Sequence, residues 1–132
     1  MPEIGSVHHI ALTVRDLDTS VPWYTRVFGL AKVMEEPHEG GGAVILRHPS
    51  SGLFVGLHKH AASQGEAFAE TRTGLDHLSL GVPSRAELES WAAHFDALGV
   101  QHSPISDQRY GSVLVFRDPD NIQLELICNP GT

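Results

Sequence analysis

Cysteine is nearly absent from this chain, which contains only Cys128. A single thiol can form neither an internal disulfide nor the thiolate cluster of a structural zinc site. Basic residues are also scarce, because 9 Lys and Arg stand against 16 Asp and Glu and the net charge is -7. Without a cluster of basic side chains, we expect no binding to nucleic acid or to an anionic membrane surface.

Long hydrophobic runs are missing as well. No apolar stretch approaches the roughly 20 residues that a transmembrane helix needs. The first residues, Met1-Pro2-Glu3-Ile4-Gly5, lack the basic and apolar regions of a signal peptide, so we expect a cytoplasmic protein. With 132 residues, 41% of them hydrophobic, the chain is long enough for one domain with a substantial core.

The chain does contain an internal sequence repeat. Residues 9–14, His-Ile-Ala-Leu-Thr-Val, return at residues 77–82 as His-Leu-Ser-Leu-Gly-Val, an offset of 68. Residues 44–49 return at residues 114–119 with an offset of 70. A repeat of this length predicts two similar supersecondary units.

Each copy of the repeat predicts the element order βαβββ. The first helix is expected to be capped near Asp18-Thr19-Ser20 and to stop at Gly29, and the second to run from the Ser84/Glu87 capping box to about residue 98, before Gly99. Alternating apolar residues predict strands at 7–14, 31–36, 43–48 and 53–59, and again at 76–82, near 100–104, at 112–117 and at 122–128.

The predicted fold class is therefore α+β. We expect a single domain over residues 1–132, with module one at about 5–60, a linker at about 61–73 and module two at about 74–130. Two helices are too few to cover both faces of the sheets. One face should pack on the helices while the other curls around a cavity.

Strand alternation selects the side chains that face this cavity. The apolar residues on the predicted strands should pack against the helices. His9, His77 and Glu125 alternate with these residues, so they should face the cavity. Two histidines and one carboxylate with open coordination positions form a plausible divalent metal site. We expect the cavity to be lined by Ala11, Thr13, Val55, Leu57, Ser79, Val113, Val115 and Gln123.

Three stretches of the sequence resemble one family. They are residues 9–17 with Trp23-Tyr24 and Phe28-Gly29-Leu30, residues 75–80, and residues 111–120 followed by Gln123-Leu124-Glu125-Leu126. With them, essentially the whole chain resembles the vicinal oxygen chelate superfamily of glyoxalases, bleomycin-resistance proteins and extradiol dioxygenases. The resemblance implies two βαβββ modules that form a U-shaped cup around a divalent metal ion, a small substrate that chelates the metal through neighbouring oxygens, and frequently a homodimer.

The resemblance also implies a fourth ligand, from the last strand of module one. The offset of 70 places Val55 opposite Glu125, so we expect only His9, His77 and Glu125 to bind metal. This departure disfavours glyoxalase I, which would need a second acid near Val55. The remaining set suits Mn²⁺ or Fe²⁺, and we leave Zn²⁺ and Ni²⁺ open.

We therefore expect a metalloenzyme of the dioxygenase, lyase or thiol-transferase type, in which the metal acts as a Lewis acid. A general acid or base could come from His58, His60, His102 or Tyr110, and Arg109 with Tyr110 could serve in catalysis or in binding an anionic substrate. The other histidines, His38 among them, are expected at the surface. The alternative is a protein that sequesters a drug or natural product without metal and so confers antibiotic resistance.

Overall fold

The computed structural model describes all 132 residues, which divide into two compact units at residues 1–66 and 67–132. The boundary falls inside the predicted linker. The first unit contains β1 (Ile10–Thr13), α1 (Leu17–Phe28), β2 (Ala31–His38), β3 (Gly41–Arg47) and β4 (Phe54–His60). The second contains β5 (Leu78–Gly81), α2 (Arg85–Leu98), β6 (Ser106–Gln108), β7 (Gly111–Arg117) and β8 (Gln123–Cys128).

The two sheets share one topology. Their strand orders are β1-β4-β3-β2 and β5-β8-β7-β6. In each sheet the first strand is parallel to the last, and the remaining neighbours are antiparallel. The prediction of an α+β fold with two βαβββ units is therefore confirmed.

Both helices begin at a short polar side chain that caps the first turn and end at a glycine. The N-cap of α2 is Ser84, whose hydroxyl accepts a hydrogen bond from the Glu87 amide at 3.1 Å, as predicted. The N-cap of α1 is Asp16, so the prediction of a cap at residues 18–20 was slightly late along the chain. Gly29 and Gly99 end the helices in the left-handed conformation, with φ of 70° and 71°.

One face of each sheet packs against its helix. In the first unit α1 packs on β3 and β4, and in the second α2 packs on β7 and β8. The fully buried side chains of these layers are mostly Leu, Val, Tyr and Phe, including Val14, Tyr24, Val27, Leu46 and Leu57 in the first unit and Leu88, Phe95, Leu114, Leu124 and Leu126 in the second. Phe95 of α2 meets Phe116 of β7 with 4.4 Å between ring centroids.

One predicted strand was misplaced. Residues near 100–104 contribute only an isolated bridge between His102 and Phe116, and the strand β6 lies further along the chain. Pro104 accounts for this, because it has no amide hydrogen to donate to a neighbouring strand. Neither helix is long and apolar enough to span a membrane.

Candidate metal centre

Glu125 lies on the face of the second sheet that is turned away from α2. Its neighbours Leu124 and Leu126 are each only 2% exposed and belong to the core. Glu125 pairs with Ser79 across the parallel β5/β8 ladder, so the two side chains share a face. The Ser79 hydroxyl donates a hydrogen bond to Glu125 Oε1 at 2.7 Å. This bond orients the carboxylate and leaves Oε2 available.

His77 directly precedes β5, and its imidazole is held by the residue before it. His77 Nδ1 lies 2.7 Å from Asp76 Oδ1. Gln123 Nε2 donates to the same Asp76 oxygen at 3.2 Å, and Arg117 in turn donates to Gln123 Oε1 at 3.3 Å. A chain of hydrogen bonds therefore runs from β7 through β8 to the histidine at the start of β5.

The Asp76 contact determines which nitrogen of His77 is free. An ionised carboxylate can only accept a hydrogen bond, so His77 Nδ1 carries the proton. In the neutral imidazole the lone pair is then on Nε2. Metal-binding histidines almost always donate their second ring N–H to a carboxylate, a carbonyl or water in this way. The donor chemistry of His77 and Glu125 therefore fits a divalent metal.

His9 belongs to the first unit and directly precedes β1. Strand alternation places it on the side of Ala11 and Thr13, which are both exposed and face away from α1. His9 Nδ1 lies 2.8 Å from Nδ1 of the neighbouring His8. The three predicted ligands thus come from both units, and their joint binding of one metal ion stays a prediction.

The observed strand register identifies a different residue of the first unit as the equivalent of Glu125 than the sequence offset did. Glu125 pairs with Ser79 in the second sheet, and the matching residue Ala11 pairs with Gly56 in the first. The fourth-ligand position is therefore Gly56, and the assignment of Val55 was wrong by one residue. The loops shift the sequence offset, whereas hydrogen bonding determines which residues share a rung.

The same register corrects part of the predicted cavity lining. Val55 and Leu57 pair with Ile10 and Leu12, and are 3% and 0% exposed on the side of α1. These two residues belong to the core, because a shift of one residue moves a side chain to the other face of a strand. The remaining predicted lining residues do lie on the faces away from the helices, namely Ala11 and Thr13 in the first unit and Ser79, Val113, Val115 and Gln123 in the second.

Arg109 and Tyr110 form the two-residue turn between β6 and β7. Tyr110 is 62% exposed. It lies five residues before Val115, the partner of Glu125 on β7, which corresponds to roughly 16 Å along an extended strand. Within the second unit, neither turn residue is therefore within contact distance of Glu125.

Sequence reasoning missed a cluster of three histidines in the first unit. The side-chain nitrogens of His38, His58 and His60 include one from each residue that all lie within 4.8 Å of one another. The ring centroids are 5.5 Å apart for His38 and His58, 5.2 Å for His38 and His60, and 6.1 Å for His58 and His60. The available signal was the His-x-His spacing at residues 58 and 60, which places both side chains on one face of a strand.

His58 is the most constrained member of this cluster. It is half-buried and lies over Gly56, where a Cβ atom would come within 3.3 Å of His58 Nε2. Burial lowers the pKa of His58, and the nearby imidazoles of His38, His60 and His9 lower it further. The neutral, metal-binding form of this imidazole is thereby favoured. His58 lies on the face of β4 opposite Val55, which is the face that Gly56 occupies.

Comparison with known proteins identifies the family. The sequence model of the Glyoxalase/Bleomycin resistance protein/Dioxygenase superfamily matches residues 6–126. The chain belongs to this superfamily. A glyoxalase/bleomycin resistance protein/dioxygenase domain from Frankia sp. EAN1pec is 34% identical, with a TM-score of 0.89 and coverage of 96% of this chain and 99% of that one. The expected superfamily membership is confirmed.

More distant members have named activities. MhqA of Bacillus subtilis, named as a ring-cleaving dioxygenase, is 27% identical over 89% of this chain, and a lactoylglutathione lyase of Schizosaccharomyces pombe is 26% identical over 96%. The chain spans only 37% and 48% of these two proteins. The fosfomycin resistance protein FosX of Listeria monocytogenes shares the fold, with 21% identity, a TM-score of 0.74, and coverage of 98% of this chain and 94% of that one.

Proposed function

We propose that this protein is a metalloenzyme of the superfamily in which His9, His77 and Glu125 hold one divalent metal ion. The observation that supports it best is the pairing of His77 Nδ1 with Asp76 at 2.7 Å, which leaves Nε2 free for a metal. Glu125, oriented by Ser79, supplies an oxygen ligand beside it on the second sheet.

Two imidazoles and one carboxylate suit Fe²⁺ or Mn²⁺ and leave coordination positions open for substrate. When bound, the metal would supply Lewis acidity to a substrate that presents two neighbouring oxygens. The protein's own contribution is to position these ligands. Asp76 and Gln123 fix the tautomer and orientation of His77, and the Ser79 hydroxyl fixes one oxygen of Glu125.

A dioxygenase reaction is the first to test within this proposal. A ring-cleaving dioxygenase is among the relatives, and the ligand set is the type found in Fe²⁺ oxygenases. Glyoxalase I activity is disfavoured, because the position paired with Ala11 is Gly56 and offers no fourth carboxylate. We further propose that the protein is cytoplasmic and that it forms a homodimer. The exposed apolar side chains Val33 and Met34 on the edge strand β2 support the homodimer. Sedimentation analysis tests the dimer.

The first experiment is elemental analysis of tag-free protein prepared without chelators, with Glu125→Gln and His77→Ala beside the wild type. The proposal expects near-stoichiometric Fe or Mn in the wild type and a loss of that metal in His77→Ala. Glu125→Gln should abolish oxygen uptake with a panel of catechols. A content of Fe or Mn that is equal in all three proteins would refute the ligand set.

The second candidate is a metal-independent binding protein that sequesters a drug or natural product. The apolar residues Val113, Val115 and Ile127, on the same face as Glu125, favour this function. In that case Glu125→Gln should leave ligand affinity nearly unchanged, and reconstitution of the wild type with Fe²⁺ or Mn²⁺ under anaerobic conditions should not raise its thermal stability.

A further inference from the structure

We propose that His38, His58 and His60 form a second, separate binding site for a late first-row divalent metal ion, most simply Zn²⁺, on the first sheet. The site consists of three imidazoles from β2 and β4 and contains no carboxylate. It shares no residue with the set His9, His77 and Glu125, and its argument does not depend on that set.

Strand register brings the three rings together. Gly41 of β3 pairs with His38 on one side and with His60 on the other, and His58 lies two residues before His60 on the same face of β4. Gly41 permits this approach, because a Cβ atom there would come within 3.0 Å of His38 Cε1. The convergence is thus a property of three adjacent strands.

The spacing of the nitrogens suits a common metal. His38 Nε2 and His58 Nδ1 lie 3.4 Å apart. Two nitrogens bound to one tetrahedral Zn²⁺ at about 2.0–2.1 Å are separated by about 3.3 Å. One ring nitrogen from each of the three histidines lies within 4.8 Å of the other two, so His60 can supply the third ligand.

The surrounding hydrogen bonds leave the required lone pair on His38. Its Nδ1 lies 3.2 Å from the carbonyl oxygen of Glu39, which can only accept. His38 Nδ1 therefore carries a proton, and in the neutral ring Nε2 faces His58 with its lone pair. The carbonyl oxygen of Glu39 is thus an outer hydrogen-bond partner of the kind that metal-binding histidines usually have.

The chemistry of the donors selects the metal class. Neutral imidazoles suit Zn²⁺, Cu²⁺ and Ni²⁺, whereas Mg²⁺, Ca²⁺ and Mn²⁺ prefer oxygen ligands. Three histidines leave the fourth position of a tetrahedral ion for water or a small ligand. The set therefore differs in metal preference from the mixed nitrogen and oxygen set proposed above.

The test measures Zn²⁺ binding by calorimetry in a His9→Ala/His77→Ala/Glu125→Gln background, which removes all three ligands of the other proposed site. In this background we expect one Zn²⁺ per chain. Adding His60→Gln should weaken binding by more than the roughly 10–100-fold that loss of an outer-shell partner costs. The matched control is His94→Gln on α2 in the second unit, which should change nothing.

A second measurement keeps the proposal testable if a variant folds poorly. Diethyl pyrocarbonate modifies accessible imidazoles, so in the same background Zn²⁺ should protect His38, His58 and His60 while His94 stays reactive. Equal Zn²⁺ affinity with and without His60→Gln, in proteins with the same circular dichroism spectrum, would overturn the site. Absence of Zn²⁺ protection at these three residues would also overturn it. Neither outcome depends on whether His9, His77 and Glu125 bind metal.

Discussion

Arg117 and Glu70 form a bidentate ion pair in the second unit, with Nη1 at 3.0 Å from one carboxylate oxygen and Nη2 at 2.9 Å from the other. Both partners are about one third exposed. The pair ties the segment that follows the unit boundary to the β7/β8 end of the sheet. Arg117 also donates to Asn121 O and to Gln123, which links the pair to the hydrogen bonds that orient His77.

Glu70→Gln should change the pH dependence of stability. The Arg117 hydrogen bonds hold the pKa of Glu70 down at about 2, against an ordinary value of 4.5. A depressed folded-state pKa stabilises the fold above pH 4.5, and the contribution is lost as the pH falls from 4.5 toward 2. Urea denaturation should show wild type more stable than Glu70→Gln at pH 7 and the difference shrinking across this window. A pH-independent difference would contradict the assigned role.

His102 should titrate in the opposite sense. The carbonyl oxygen of Ser103 accepts from its Nδ1 and raises the pKa of His102, and the Asp96 carboxylate at 2.7 Å from Nε2 raises it further. A raised folded-state pKa contributes stability that is fully present below pH 6.5 and is lost as the pH rises through the folded value.

The matching change is Asp96→Asn. It should bring the His102 pKa, followed by nuclear magnetic resonance, back down. It should also reduce stability below pH 6.5 more than in alkaline solution, where His102 is neutral in both proteins. An unchanged titration of His102 would show that Ser103 alone determines its pKa.

Gly41→Ala should destabilise the first unit strongly. A Cβ atom at Gly41 would lie 2.0 Å from the carbonyl oxygen of Lys59, a backbone atom that cannot move without disturbing the β3/β4 ladder. Overpacking of this kind costs about 1–3 kcal/mol or more. Gly81→Ala is the matched strand control, because nothing lies within 4 Å of its Cβ position, and it should stay within about 0.5 kcal/mol of wild type. Chemical denaturation measures both, and equal costs would contradict the register.

Gly56→Glu should supply the ligand that this chain lacks. Gly56 occupies the position that corresponds to Glu125, so a carboxylate there would add a fourth donor to the proposed His9, His77 and Glu125 set. Tighter binding of Mn²⁺ by about tenfold or more is expected, since even an outer-shell partner is worth about 10–100-fold.

The side chain of His58 must move for this gain, since it lies 3.3 Å from the Cβ position of Gly56. The variant is therefore best measured together with His58→Ala/Gly56→Glu. Calorimetric titration with Mn²⁺ is the readout, and Ala93→Glu is the control, because it adds a carboxylate to an exposed position of α2, on the other side of the second sheet. If neither Gly56 variant binds Mn²⁺ more tightly than Ala93→Glu, the fourth-ligand assignment fails.

The repeat in the sequence was sufficient to predict the fold, because period and element order are local properties. Apolar alternation placed Glu125 and Ser79 on one face, and the Ser84/Glu87 capping box located the start of α2. The residues Asp118-Pro119-Asp120-Asn121 are typical of a tight turn, and in the structure the Asn121 amide donates to Asp118 O at 3.0 Å.

Tertiary structure alone decided which residues share a rung. Counting along the sequence pointed to Val55, whereas the β1/β4 ladder selected Gly56, because loops of unequal length break a constant offset and hydrogen bonds do not. The sequence likewise gave no indication that His38 lies close to His58 and His60. These residues are about 20 positions apart, and only the pairing of β2, β3 and β4 across Gly41 brings them together. A sequence specifies each strand's faces by local alternation, but side chains from different strands meet only after the register has formed.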